Sequence, residues 1–328
     1  LITYKTPVDE YNFLLHDFLK ISQQNIKSFS ELNKGFTTEI FGMAGKLASD
    51  VLLPINRTGD VEGCKLENGE VITPKGFIKA FKKLREDGWT SVDCDEEFGG
   101  QGLPTSISIL VGEIFSSCNI SLTIYQALTH GAYGAILKYG TENQKNLYLP
   151  KLISCEWTGT MNLTEPQCGT DLSLIKTKAE KITKEKFLIS GQKIFISAGE
   201  HDLAENIIHL VLAKIPGGPK GIKGISLFIV PKFIPNNNGN LSERNNVKVG
   251  SIEKKMGIHA NATCVMNYDS AAGYLLGEEH KGLEAMFTMM NEARLGVGVQ
   301  SIAISEIAYQ NSVTYAKERV QGKSFSNE

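Results

Sequence analysis

The hydrophobic period of this chain changes twice along its length, and that change constrains the fold more than any single motif. From about residue 8 to residue 148, apolar side chains recur at helical spacing: Tyr11, Leu14, Leu15 and Phe18 form one stripe, and Phe77, Phe81 and Leu84 another. From about Trp157, short β-rich runs take over at residues 187–189, 193–197, 207–213, 225–230 and 263–268. Turn formers such as Ser190-Gly191 and Pro216-Gly217-Gly218-Pro219 divide them. The helical period returns at Lys281, where Leu283, Met286, Phe287 and Met290 share a face that Ile302, Ile307 and Val313 extend. No long helix separates the central strands, so they predict an antiparallel sheet or barrel rather than alternating βα units. The expected fold class is therefore α+β and multidomain. An N-terminal helical domain covers residues 1–156, a middle antiparallel β-barrel-like domain 157–272, and the beginning of a C-terminal helical bundle 273–328. A single helix of the last type cannot bury its own apolar stripe, which predicts that the bundle continues outside this sequence.

Local punctuation refines the outline. Glycine-rich breaks are expected at residues 56–63 and at 98–104 (FGGQGLP), and the Asn/Gly-rich run 236–246 reads as an exposed loop. Thr141 with Gln144 forms a capping-box signature ahead of an apolar run that begins at Leu147. The chain has 328 residues, enough for two or three domains, and its 34 Lys plus Arg nearly balance 36 Asp plus Glu. That balance supports neither nucleic acid nor an anionic membrane as a partner. The six cysteines (Cys64, Cys94, Cys118, Cys155, Cys168 and Cys264) form no C-x-x-C pair, and no histidine falls at zinc-finger spacing. They are expected to be reduced structural thiols with no metal. No stretch reads as the ~20 apolar residues of a membrane helix. The N-terminal segment is too charged for a signal peptide, and a cytoplasmic protein is the expectation. Because it opens on Leu1, the sequence is expected to lack some N-terminal residues.

Generic catalytic signatures are missing. There is no G-x-x-x-x-G-K-[ST] phosphate loop and no H-E-x-x-H pair. Gly296-Val297-Gly298 lies inside a helical pattern with Ser301 in the third glycine's place, which fits helix packing better than a dinucleotide turn. Around Ser197 the order is Phe195-Ile196-Ser197-Ala198-Gly199, not a nucleophile elbow.

Five ordered segments carry a resemblance. Residues 160–171 read TMNLTEPQCGTD and are followed by LSLIKTKA; residues 191–197 read GQKIFIS; residues 255–264 read KMGIHANATC; residues 291–298 read NEARLGVG; and residues 4–9 read YKTPVD. Together they resemble the acyl-CoA dehydrogenase family over essentially the whole chain, and in particular its long branch, which includes enzymes acting on 3-methylmercaptopropionyl-CoA. The resemblance implies FAD as cofactor. A flavin needs its N5 and pyrimidine edge hydrogen-bonded, its ring packed, and its pyrophosphate neutralised. By resemblance, Met161, Leu163 and Thr164 line the isoalloxazine, Ser197 donates toward N5, and Phe195 stands where a tryptophan often packs beside the ring. Gly169 and Thr170 fall beside the flavin phosphates and the acyl-CoA; relatives often carry serine at Thr170. Read alone, Thr164-Glu165-Pro166 is a strand-ending turn, because Pro166 disfavours helix at Glu165. Arg294 matches a substrate-cavity arginine, though by itself it reads as a surface or interhelical ion-pair residue. Arg319 matches an arginine that reaches the FAD of a neighbouring subunit, a role suited to its planar fork. Two extra residues, Gly322 among them, separate it from Phe325 relative to shorter relatives.

The activity so implied is α,β-dehydrogenation of an acyl-CoA thioester, with an electron-transfer flavoprotein as acceptor and a homodimer or homotetramer as the assembly. A carboxylate must remove the α-proton. At the position just before Arg294, where a minority of relatives carry that base, this sequence has Ala293. Glu292 would point ~100° away on a helix. The base is therefore expected outside these 328 residues, and the chain by itself is expected to be inactive or nearly so. An acyl-CoA oxidase, and a non-catalytic flavin-binding stress-response relative that binds DNA, are the alternatives; the balanced charge gives the second no support.

Overall fold

The helical period of the first part of the chain builds six α-helices: α1 (Val8–Asn12), α2 (Lys34–Leu47), α3 (Leu53–Glu62), α4 (Phe77–Glu86), α5 (Thr105–Tyr139) and α6 (Glu142–Ile153). They are seen in a computed structural model that describes residues 2–236 and 238–322. Tyr11 and Leu15 are buried as their spacing predicts, whereas Phe18 is exposed. The expected break at 56–63 falls largely inside α3. Gly59 is tolerated there because a Cβ would meet the Phe77 ring at 2.4 Å, and the helix ends at Gly63 (φ 66°). A small hairpin of β1 (Lys65–Glu67) and β2 (Glu70–Ile72) follows, unannounced by the helical pattern around it. Thr141 and Gln144 form the expected capping box, with the Thr141 Oγ1 accepting from Gln144 N–H at 3.3 Å and Gln144 Oε1 from Thr141 N–H at 3.0 Å.

The longest of these helices, α5, is two helices end to end. Asn119 leaves the helical region (φ −159°, ψ 84°), and its Oδ1 accepts from Leu122 N–H at 3.1 Å, so it caps the second half. Its amide donates to Leu52 O at 3.2 Å, which anchors the kink on the turn before α3. α5 also contains an 18-residue window of mean hydropathy 1.6, long and apolar enough to cross a membrane. This corrects the expectation that no such segment exists: Ser116, Ser117, Asn119 and Ser121 break up the run to the eye without lowering its mean. Within the fold, 67% of the window is buried.

The sheet is built from β3 (Trp157–Asn162), β4 (Lys178–Lys181), β5 (Lys186–Ser197), β6 (Asn206–Lys214), β7 (Ile225–Pro231), β10 (Val247–Ile252) and β11 (Thr263–Leu276). Between β7 and β10, β8 (Phe233–Pro235) and β9 (Leu241–Arg244) pair as a hairpin, so part of the run expected to be a loop is strand. The two runs expected at 187–189 and 193–197 are one strand, and the run at 263 extends to Leu276. Most pairings are antiparallel, as expected, but β3 runs parallel to β6 from Trp157↔Asn206 to Asn162↔Val211, which corrects the all-antiparallel reading. The reason is the connection between them: residues 163–205 carry β4 and β5 and return the chain to start β6 in the direction of β3, a crossover that the short-strand pattern does not register. Strand β7 pairs with both β6 and β11 and turns the sheet back on itself. Only the single Lys178↔Lys214 bridge joins β4 to β6, so the curved sheet is barrel-like without full closure by ladders.

After the sheet, α7 (Gly282–Glu318) is one helix of 37 residues, about 55 Å long. Its first turns pack on α5 and the sheet through Ala285, Met286 and Met289, while Phe287, one residue and ~100° round, is exposed. At Gly131 of α5 a Cβ would lie 2.7 Å from Met289 Cγ, and at Gly159 of β3 one would lie 2.3 Å from Ala132 Cβ. Those two glycines let α5 touch α7 and β3 at once. At the far end of α7, Asn311 and Gln310 each exchange two hydrogen bonds with the main chain of Thr3 and Lys5, at 2.8–3.0 Å, and hold the first residues on the helix. Phe325 lies outside the described residues.

Candidate functional site

Three cross-ties join the end of β3 to the end of β5. Thr160 Oγ1 donates to Ser197 O (2.7 Å), Lys193 Nζ to Leu163 O (2.9 Å), and Ile194 N–H to Thr164 O (2.9 Å). The two stretches therefore run side by side in opposite directions, and Met161, Leu163, Thr164, Phe195 and Ser197 line one wall. Simple alternation along β5 puts Phe187, Ile189 and Lys193 on the inner face and would put Phe195 there too. A bulge changes this. Cys264 pairs Ile196 but Met266 pairs Lys193, so β5 holds one extra residue, and Phe195 takes up the slack at φ 57°. The strand's phase flips, Ile196 turns inward, and the Phe195 ring is left 60% exposed. An exposed aromatic on a left-handed residue is strained backbone that marks a site. Ala198 (φ 55°) ends the strand just past Ser197.

Under the wall sits an ion pair that the sequence reading missed. Lys193 is fully buried, and its Nζ lies 2.8 Å from Glu165 Oε1. Glu165 also accepts from Thr177 Oγ1 (2.6 Å), Thr177 N–H (3.1 Å) and Lys176 N–H (2.7 Å). Burial pushes the Glu165 carboxyl up, but the Lys193 ammonium and these donors outweigh it and hold the group at about 2. Burial likewise pulls Lys193 down, opposed by the Glu165 charge. The pair fixes the Thr164–Pro166 turn, which the reciprocal Glu165–Cys168 main-chain bonds close (2.8 and 3.0 Å). The segment is a strand-ending turn, as Pro166 predicts, and it also forms one side of this wall. The inward phase of Lys193 was the available signal, a charged residue on the alternation of Phe187 and Ile189.

Between Met161 and Leu163, Asn162 is fully buried and accepts from Tyr268 OH at 2.8 Å. Burial lowers His209 of β6 and His201 of the segment before it to about 3, so both stay neutral. Gly169 and Thr170 follow the turn and are exposed. A Cβ at Gly169 would meet Thr164 Cγ2 at 3.4 Å, an ordinary contact, so nothing within the chain requires glycine there. The Thr164, Thr170 and Ser197 hydroxyls have no hydrogen-bond partner among the described residues. A flat conjugated ligand with carbonyl and nitrogen acceptors fits this donor set: hydroxyls free at the wall, an exposed aromatic beside them, and open main chain at Gly169.

The structure does not bring the two arginines to this wall. Arg294 is exposed on α7, where it donates to Asn291 Oδ1 (2.5 Å) and stacks on Phe287 (5.3 Å to the ring centroid). Arg319 follows α7 and touches Tyr315 OH and Gln321 Oε1, both at 3.3 Å. Thirty residues of helix, about 45 Å, separate it from Met289. It cannot serve the wall of its own chain. Ala293 is half-buried and carries no titratable group, and the Glu292 carboxylate is engaged by His130 Nδ1 of α5.

Comparison with known proteins adds the following. The acyl-CoA dehydrogenase N-terminal domain family matches residues 43–156, and the acyl-CoA dehydrogenase middle domain family matches residues 160–271. The chain is 42% identical over 323 residues to 3-methylmercaptopropionyl-CoA dehydrogenase of Ruegeria pomeroyi, covering 98% of this chain and 55% of that protein. A solved structure of an acyl-CoA dehydrogenase complexed with FAD, from Bacillus anthracis, matches with a TM-score of 0.74 at 26% identity, over 93% of this chain and 47% of that one. A structure described as the electron transferring flavoprotein of Acidaminococcus fermentans matches with a TM-score of 0.71 at 29% identity, over 88% of this chain and 70% of that one. The chain spans about half the length of curated relatives that it matches, 55% and 48% for two of them.

Proposed function

The chain belongs to the acyl-CoA dehydrogenase family, and from that premise we propose that it forms the FAD-binding part of an enzyme that introduces an α,β double bond into an acyl-CoA thioester. The observation that carries the reading is the wall between β3 and β5, where free hydroxyls and the outward Phe195 ring meet. FAD, when bound there, supplies the acceptor for the hydrogen that leaves the β-carbon. The residues of this chain do the rest of the binding. Met161, Leu163 and Thr164 hold one edge and face of the ring, the Ser197 hydroxyl donates to the ring system, and Phe195 packs beside it. Gly169 and Thr170 lie toward the phosphates, with Thr170 also toward the thioester, and Arg294 faces the substrate side.

The α-proton acceptor is neither Ala293 nor Glu292, since the first has no base and the second is tied to His130. Arg319 acts on the FAD of a second copy of the chain, because its own wall is out of reach, and this makes the working form a homodimer or homotetramer. The resemblance of residues 160–171 and 255–264 to the long branch, and the 42% identity to the Ruegeria pomeroyi enzyme, favour 3-methylmercaptopropionyl-CoA as substrate. An electron-transfer flavoprotein is the acceptor, and the setting is cytoplasmic with no membrane or nucleic-acid partner.

The purified chain is expected to bind FAD with a visible flavin spectrum. Ser197→Ala should weaken that affinity about 2–10-fold, the value of one hydrogen bond. Anaerobic titration of the FAD-loaded protein with a panel of acyl-CoAs, 3-methylmercaptopropionyl-CoA among them, should perturb the flavin bands. A folded protein with no affinity for FAD would overturn the reading. Rapid peroxide formation from oxygen during turnover would replace the dehydrogenase with an oxidase.

A further inference from the structure

Asp93 and Cys94 lie on the loop between α4 and α5, and His130 lies on α5 between Thr129 and Ala132, which face Gly159 of β3. The main chain of this loop is tightly set: Gly102 N–H donates to Cys94 O (2.9 Å), and Tyr133 OH donates no proton but accepts Asp95 N–H (2.8 Å). One donor atom from each of Asp93, Cys94 and His130 falls within 4.8 Å of the others. His130 Nε2 is 3.0 Å from Asp93 Oδ1, yet this buried nitrogen makes no hydrogen bond of acceptable geometry. The other ring nitrogen, Nδ1, is held by Glu292 of α7. The contact with Asp93 is thus a close approach without an aligned hydrogen bond, and a ring nitrogen lies within 4.8 Å of the Cys94 thiol as well.

We propose that Asp93, Cys94 and His130 form a binding site for a divalent transition-metal ion, zinc by the character of its donors. One thiolate, one imidazole and one carboxylate suit zinc, whereas magnesium and calcium take oxygen ligands. Bonds of ~2.0–2.3 Å in a tetrahedral site place donor atoms roughly 3.3–3.8 Å apart, a spacing bracketed by the 3.0 Å contact and the 4.8 Å envelope of this cluster. Three protein ligands leave the fourth position to water. Glu292 completes the pattern from outside: a carboxylate on the far nitrogen fixes the tautomer that presents a lone pair at Nε2. Asp93 is 5% exposed, but His130 and Glu292 are 24% and 39% exposed, so the cluster has a way in from solvent. The metal would tie the loop and α5 through Glu292 to α7. The site shares no residue with the flavin wall and does not depend on the activity proposed above. It also removes Cys94 from the set of merely structural thiols.

The test uses the whole chain, stripped by a chelator and equilibrated with micromolar Zn²⁺ or Co²⁺. Elemental analysis should find about one ion per chain, the cobalt form should show a thiolate-to-metal charge-transfer band, and reloading should raise the unfolding midpoint. Cys94→Ser should erase the charge-transfer band, and Glu292→Gln should weaken the affinity about 10–100-fold. Circular dichroism and a cooperative unfolding transition are the check that each variant is folded. Failure of the wild-type chain to retain stoichiometric metal, or to show the charge-transfer band, overturns the proposal and leaves His130 as a charged clamp between two carboxylates. Uptake that survives both Cys94→Ser and His130→Ala overturns it as well. The wild-type cobalt spectrum decides the matter even where a variant does not fold.

Discussion

Lys193→Met is expected to lower the unfolding free energy by about 3–5 kcal/mol, because it leaves the Glu165 carboxylate buried without its cation. Glu165 is 3% exposed and Lys193 fully buried, so no solvent can replace the lost charge. Urea unfolding at fixed, saturating FAD measures the change, since ligand binding would otherwise shift the apparent stability. Glu165→Gln with Lys193→Met should recover most of the loss, because a neutral pair of similar volume need not desolvate two ions. A single variant as stable as the parent would show that the pair contributes nothing. The pH dependence has a definite sign. The folded state holds Glu165 at about 2, below its ordinary 4.5, so its contribution is fully present above pH 4.5 and is lost as pH falls toward 2. That difference corresponds to about 3 kcal/mol, in line with the mutational figure. The Lys193→Met curve should therefore approach that of the parent below pH 4. Because Lys193 also donates to Leu163 O, its removal should weaken FAD binding beyond the effect of Ser197→Ala.

Trp157→Ala should cost about 3–5 kcal/mol for a different reason, the cavity left by the largest fully buried side chain. Trp157 opens β3 and packs edge-on to Tyr148 of α6, with ring centroids 6.0 Å apart. It couples the helices to the strand that ends in the wall between β3 and β5. Its indole N–H has no partner among the described residues. Trp157→Phe gives up part of the volume but also removes that unsatisfied donor, so it should fall well short of the alanine loss. Denaturant midpoints for the two variants at the same FAD concentration test the ranking. Equal losses would mean that the indole nitrogen is bonded in solution.

The order helices, sheet, helix was legible because period is a property of contiguous residues. The strands with alternating or continuous apolar runs, β5 through β7 and β11, were legible for the same reason. What escaped were elements defined by partners far away in sequence. β3 reads as WTGTMN, half polar, and is a strand because Gly159 lets it lie on Ala132 while β6 runs parallel beside it. The charged run LSER pairs as β9 only because β8 is present. At the wall, the resemblance named Met161, Leu163, Thr164, Phe195 and Ser197, and the cross-ties at Thr160, Lys193 and Ile194 bring those residues together. It could not reveal the bulge that turns Phe195 outward, since no residue between Gly191 and Ser197 announces a left-handed backbone. Arg294 and Arg319 were named by the same motifs yet stand away from the wall, one on the exposed face of α7 and the other at its far end. Along 37 residues of helix, nearness in sequence to a site says little about reach.

The grip of α7 on the first residues has a chemical side. Asn311 and Gln310 each give and take one hydrogen bond with the backbone of Thr3 and Lys5, much as a neighbouring strand would. A carboxamide does both through two different atoms, whereas a carboxylate can only accept. Spontaneous hydrolysis of either side chain to its acid, the slow damage that stored protein accumulates, would set an anion against a peptide oxygen and release the strap. Asn311→Asp is thus expected to loosen residues 3–5 from α7 and expose them to protease while leaving the sheet intact.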